Sequence, residues 1–191
     1  MGKIEANFFM SLDGVVESPD KWHFPYFNDE MGAAITAGVE RYTAFLMGRA
    51  LYEEWSDYWP KQVRDAPPGE PEETADDFAT FINRVPKYVV SSTLRDPTWT
   101  NTRVVSGDVA AQLRTLKDEV GGDIGMSGSA TLVRWLLANN VLDELHLMIH
   151  PVVVGYGQRL FEDTPTHPLQ LVNCERFETG VLNVTYTAAA R

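Results

Sequence analysis

At 191 residues, with 44% apolar and 23% charged side chains, the chain has the material for one substantial core, and its composition excludes disordered, collagen-like and coiled-coil classes. A formal net charge of −11 opposes nucleic-acid binding, which needs clustered Lys and Arg, but permits a small phosphorylated ligand held by a few local cations and helix N-termini. Cys174 is the only cysteine, which rules out a disulfide framework and a multi-thiolate zinc site; with Glu5 close to the start and no run of about eighteen apolar residues, a cytoplasmic protein with no membrane partner is expected.

The first element is a strand over Ile4 to Met10. A loop rich in Gly, Pro, Asp and aromatic residues follows from Ser11 to Asn28, then a helix over Asp29 to Arg41 and a buried strand over Ala44 to Gly48. Helical spacing of Leu51, Tyr52 and Trp55 gives a helix over Arg49 to Tyr58, closed by Trp59-Pro60. The stretch to about Glu73, with Pro67, Pro68, Gly69 and Pro71, reads as a surface excursion and not a domain boundary.

A short helix over Asp76 to Val85 precedes strands at Lys87 to Ser91 and Arg103 to Ser106. The next helix, Asp108 to Val120, buries Val109, Leu113, Leu116 and Val120 and stops at Gly121-Gly122. Strand Asp123 to Met126, helix Ser129 to Asn139 and strand Glu144 to Ile149 follow. Leu169 to Phe177 and Leu182 to Ala188 form two strands around a turn at Thr179-Gly180. Strands alternating with helices predict a single α/β domain over 1–191, with a mainly parallel central sheet, an antiparallel C-terminal end and helices on both faces.

The most informative local feature is Ile124-Gly125-Met126-Ser127-Gly128-Ser129-Ala130-Thr131-Leu132, a strand running through small residues into a helix. Such a start leaves backbone N–H groups free and lets a pyrophosphate approach them, although small residues serve tight strand-helix packing equally well. In a parallel sheet, ligands sit beyond the carboxyl ends of strands, where Gly48-Arg49 and Ser91-Ser92-Thr93 would converge on the same ligand; each alone reads as a surface pair or a polar turn. Asp13 by itself reads as a turn aspartate bonded to local backbone. Trp22, His23, Phe24, Tyr26 and Phe27 would wall a planar ring, fold into the core or form a dimer contact. His146 and His150 are read as structural, no metal is expected, and Cys174 is read as a buried strand residue. Val152 to Gly157 is a backbone-rich loop or a sheet corner needing glycine conformations.

The ordered motifs Asn7-Phe8-Phe9-Met10-Ser11-Leu12-Asp13-Gly14-Val15-Val16, Leu46-Met47-Gly48-Arg49-Ala50-Leu51-Tyr52-Glu53, Val89-Val90-Ser91-Ser92-Thr93-Leu94, Met126-Ser127-Gly128-Ser129 and Asp143-Glu144-Leu145-His146-Leu147, through Pro151 and Gly155, extend over nearly the whole chain. Together they resemble the reductase domain of bacterial riboflavin biosynthesis and its stand-alone relatives in the dihydrofolate reductase superfamily. The resemblance implies a dihydrofolate-reductase-like three-layer fold and NADPH as cofactor. It puts the pyrophosphate on Gly128, Ser129, Ala130, Thr131 and Leu132, and the adenosine side near Gly48, Arg49, Ser91, Ser92 and Thr93. Arg49 becomes the partner of the 2′-phosphate; the chain departs from the family at Ala50, where a threonine is usual.

On the substrate side the resemblance implies Asp13, Gly14, Trp22, Val153 and Gly155, with Asp13 the catalytic candidate. The implied activity is reduction of a pterin-like or ribosylaminopyrimidine substrate, nearest to 5-amino-6-(5-phosphoribosylamino)uracil reductase. Alternatives are a non-catalytic NADP-binding regulator and a reductase of another small heterocycle such as dihydrofolate. A homodimer is expected, with Val172, Val181, Val184 and Tyr186 either at a self-complementary surface or in the core.

Overall fold

The computed structural model describes residues 2–62 and 77–189, so the excursion through Pro67, Pro68, Gly69 and Pro71 lies outside the described residues. Among the described residues, eight strands form one sheet: β1 (Ile4–Ser11), β2 (Tyr42–Gly48), β3 (Lys87–Val90), β4 (Thr102–Val105), β5 (Asp123–Ser127), β6 (Glu144–His150), β7 (Leu169–Arg176) and β8 (Leu182–Ala188). Their order is β4-β3-β2-β5-β1-β6-β8-β7. Pairings from β4 through to β6 are parallel, and β6–β8 and β8–β7 are antiparallel, as the sequence predicts.

Among the described residues, five α-helices cover the sheet: α1 (Asp29–Val39), α2 (Arg49–Tyr58), α3 (Asp77–Arg84), α4 (Val109–Glu119) and α5 (Ala130–Ala138). Side-chain alternation along the strands decides where each helix packs. Ile4, Ala6 and Phe8 of β1, Ala44 and Leu46 of β2, and Ile124 and Met126 of β5 join Leu113 and Leu116 of α4 and Leu132, Val133 and Leu136 of α5 in the main core. The opposite face carries Phe45 and Met47 with Tyr52 of α2 and Ile82 of α3, and a smaller cluster of Phe9, Met148, Phe177 and Val181 around Met31 of α1.

Most boundaries lie within one or two residues of the sequence expectations. β2 begins at Tyr42, ahead of the expected Ala44, because the Tyr42 ring lies across Gly125; a Cβ there would come within 2.4 Å of it. α1 ends at Val39, which releases Arg41 to reach Glu5. Asp108 caps α4, its carboxylate accepting from the Ala111 N–H. Cys174 corrects an expectation: it is exposed, not buried, because β7 is the sheet edge and seven of its eight residues are exposed. The proposed self-complementary set divides likewise, with Val181 and Val184 in the core and Val172 58% exposed.

Candidate functional site

β2 and β5 are adjacent parallel strands, yet the helices that follow them, α2 and α5, pack on opposite faces of the sheet. The chain therefore diverges at their carboxyl ends and leaves a crevice, the usual ligand position in open α/β sheets. Gly48 and Ser129 meet there: the Gly48 N–H donates to Ser129 Oγ over 3.0 Å. This use of the hydroxyl leaves the start of α5 without a side-chain cap. The first helical bond runs from Val133 N–H to the Ser129 carbonyl, so the N–H groups of Ala130, Thr131 and Leu132 precede the ladder. Gly128 (φ 62°) and Ser129 (φ 55°) both take left-handed backbone, and a Cβ on Gly128 would press within 3.3 Å of Leu51. The turn is thus held in the form that offers backbone donors to an anion. The Leu132 side chain is core, so only its backbone is available, and Thr131 Oγ1 accepts from Arg134.

Beside this turn a cleft of about 500 Å3 is lined by Arg49, Ser91, Ser92, Thr93, Ser106 and Gly107, among others, so the expected adenosine-side residues lie together. Ser91 Oγ is used locally, accepting from the Thr93 and Leu94 N–H groups and shaping the turn that exposes Ser92 and Thr93. The Arg49 guanidinium is half-exposed and donates to Glu53 one helical turn away at 2.7 Å. A phosphate entering the cleft would compete with that carboxylate.

The loops leaving β1 and β6 are laced together. Leu12 N–H donates to the Val152 carbonyl, Val16 N–H to that of Gln158 and Leu160 N–H to that of Gly14. Asp13 fastens them: Oδ1 accepts from Ser11 Oγ (2.7 Å) and Val154 N–H (3.0 Å), and Oδ2 from Gly155 N–H (2.8 Å). The Ser11 hydroxyl and these two amides hold its carboxyl down to about 2. Asp13, Gly14, Val153 and Gly155 thus belong to one loop junction, where Asp13 is an ionised clamp accepting three hydrogen bonds.

Trp22 and His23 close over the same end of the sheet. His23 stacks on Phe9 of β1 (centroids 4.5 Å, 9° between planes), and Trp22, Tyr26 and His23 each present an edge contact to His150 at the end of β6. His150 is fully buried and its Nδ1–H donates to the Met148 carbonyl at 2.8 Å. Burial pulls the pKa of both imidazoles below the ordinary histidine value.

Beneath α1, a polar group missed by sequence reasoning lies on the same face. Glu5 accepts from Arg41 (2.8 Å) and from the Tyr42 hydroxyl (3.1 Å), which itself accepts from Asn7 Nδ2 (2.9 Å). Burial and the Glu5 carboxylate raise the Tyr42 phenol far above its usual range, so it stays protonated. Glu144 pairs with Lys3 and His146. Ligand atoms of Glu5, Glu144 and His146 lie within 4.8 Å of one another, but Arg41 and Lys3 already match both carboxylates. Glu5 and Asn7, alternating inside an otherwise apolar first strand, are the sequence signal of this network.

Comparison with known proteins bears on the family and the fold. Residues 2–183 match the model of the RibD C-terminal domain. An uncharacterized protein of Bacillus subtilis (strain 168), YyaP, is 27% identical over 186 residues, covering 96% of this chain and 94% of its own. A diaminohydroxyphosphoribosylaminopyrimidine deaminase/5-amino-6-(5-phosphoribosylamino)uracil reductase of Thermotoga maritima superposes with a TM-score of 0.63 at 16% identity, covering 98% of this chain and 57% of that one. Dihydrofolate reductase of Enterococcus faecalis, solved with NADP(H), superposes with a TM-score of 0.62 at 14% identity, covering 99% and 98%. Carrying the fold of these reductases and matching the family model over nearly its whole length, the chain belongs to the RibD C-terminal domain family.

Proposed function

We propose that the protein is an NADPH-dependent reductase of a small nitrogen heterocycle, pterin-like or ribosylaminopyrimidine in kind, with 5-amino-6-(5-phosphoribosylamino)uracil the nearest named substrate. The observation that carries this reading is the Gly48–Ser129 bond at the β2/β5 divergence, which joins an uncapped helix start to the cleft of Arg49 and Ser91–Thr93. In it, the backbone of Gly128 to Leu132 holds the pyrophosphate, Ser92 and Thr93 line the adenosine side, and Arg49 takes the 2′-phosphate. NADPH supplies the hydride when bound.

The chain's own part is alignment and exclusion of water. Asp13 fixes the β1 and β6 loops, and Trp22, Val153 and Gly155 border the substrate. With its carboxylate committed to three donors, Asp13 acts in this reading as a positioning residue, not a proton relay. That commitment also favours a second reading, a non-catalytic NADP-binding regulator.

The test is a thermal shift with saturating NADPH and NADH, followed by NADPH oxidation across pterins, dihydrofolate and ribosylaminouracil analogues. Turnover with one member supports the reductase; a shift without turnover across the panel supports the regulator; no shift with either nucleotide rejects both. The reading includes a homodimer formed through the exposed β7 edge with Leu171 and Val172, which sedimentation checks.

A further inference from the structure

The cofactor cleft uses neither His23 nor His150, yet both lie at the carboxyl ends of β1 and β6, within the same loop junction as Asp13. His150 is wholly buried and His23 is 6% exposed. Among the described residues, His150 Nε2 and His23 Nδ1 are buried without a hydrogen-bond partner. An aromatic core built for packing alone has no use for two desolvated, unpaired ring nitrogens, since each costs stability that phenylalanine would not.

The Met148 carbonyl fixes the tautomer of His150. A carbonyl only accepts, so Nδ1 carries the hydrogen and neutral Nε2 is left as a lone-pair acceptor. The His23 ring lies parallel to Phe9 with centroids 4.5 Å apart, and 4.2 Å from the Phe24 centroid at a 38° tilt. Phe24 and Phe27, whose rings lie 4.2 and 6.1 Å from that of His23, are large apolar side chains left exposed, as are Leu12, Val153 and Tyr156 on the loops that Asp13 joins.

We propose that the slot His23 fills between Phe9 and Phe24 is the ring pocket of this protein, and that a planar heterocycle bearing an N–H edge displaces His23 and donates that N–H to His150 Nε2. The pocket deepens the reductase reading above and rests on it for the cofactor beside the ring. His23 is then an internal stand-in for the substrate, and the 18–27 loop carries it out of the slot when the substrate enters. Both imidazoles are neutral near pH 7 because burial opposes their charge, so the acceptor is present under ordinary conditions.

The experiment uses lumazine and 1,3-dimethyllumazine, planar rings that stack alike but differ in N–H groups, titrated calorimetrically with and without NADP+. Lumazine is expected to bind the wild-type protein at least about tenfold more tightly than the dimethyl compound, the ratio a lost hydrogen bond to a buried acceptor gives. His23→Ala should tighten both probes, and His150→Phe should erase the discrimination. Equal affinity for the two probes, or binding of neither by His23→Ala protein, overturns the proposal.

A nitrogen-15 spectrum of wild-type His150 decides independently of whether His150→Phe folds. Nε2 unprotonated in the free protein and shifted by lumazine supports the pocket; Nε2 protonated or unmoved overturns it. A missing thermal shift with NADPH counts against the cofactor reading alone, because the probe titration without NADP+ still reports on the slot.

Discussion

Replacing Arg49 by alanine is the sharpest perturbation of the proposed cofactor cleft. The guanidinium is half-exposed and, among the described residues, pairs with Glu53 at 2.7 Å in an i,i+4 pair of similar exposure. Pairs of this kind contribute about 0.3–0.5 kcal/mol, so exchanging Glu53 for a phosphate costs little. A charge-assisted bond to the 2′-phosphate contributes about 1.5–3 kcal/mol, leaving a net gain of about 1–2.5 kcal/mol, or roughly 5- to 70-fold in affinity. Arg49→Ala should therefore weaken NADPH by that factor while changing NADH less than about twofold, on the same arithmetic. Glu53→Gln, which frees the guanidinium, should tighten NADPH about twofold, an effect that disappears in the Arg49→Ala background. Calorimetric titration of the four proteins with both nucleotides at one fixed ionic strength gives the full cycle. Equal losses for NADPH and NADH, or weaker NADPH binding by Glu53→Gln, would refute the phosphate role.

Gly125→Ala puts a Cβ 2.4 Å from the Tyr42 ring and forces it off Glu5 and Asn7; a loss of about 3 kcal/mol is expected in urea unfolding, less than additive with Tyr42→Leu, and full additivity would show that the ring is not the obstacle. Lys87 is fully buried, with Nζ donating to the carbonyls of Ile82 and Val85 behind α3 and lying 4.5 Å from the Trp99 ring centroid. Lys87→Met should cost about 1–3 kcal/mol through the unpaired carbonyls; a stabilised variant in thermal unfolding would mean that burying the charge costs more than its bonds return. Asp13, lowered to about 2 from 3.8, stabilises the fold fully above its unfolded value, and that contribution is lost as pH falls from about 4 through 2. Acid titration should show a loss in this window that Asp13→Asn lacks, and identical acid profiles for the two proteins would remove Asp13 as the clamp.

Periodicity placed the strands and helices because each strand buries an apolar face and each helix an apolar stripe, as Leu113 and Leu116 of α4 do. It also brought Arg49 and Ser91–Thr93 to one cleft, since a parallel sheet aligns the carboxyl ends of its strands. What local pattern cannot supply is strand order. Whether a run such as Leu169 to Arg176 lies inside the sheet or at its rim depends on pairings far along the chain, and Cys174 was accordingly placed in the core when it is exposed. Strand order likewise hides the Glu5–Tyr42–Asn7 network and the meeting of His23 with His150, whose members are remote in sequence.

The bond between Gly48 and Ser129 couples the ends of two neighbouring strands and ties the Gly128–Ser129 turn to the start of α2. The 11–17 and 151–160 loops are joined to each other by backbone bonds and by Asp13. A displacement of one loop is therefore expected to carry the other with it, while the Gly48–Ser129 corner stays bonded.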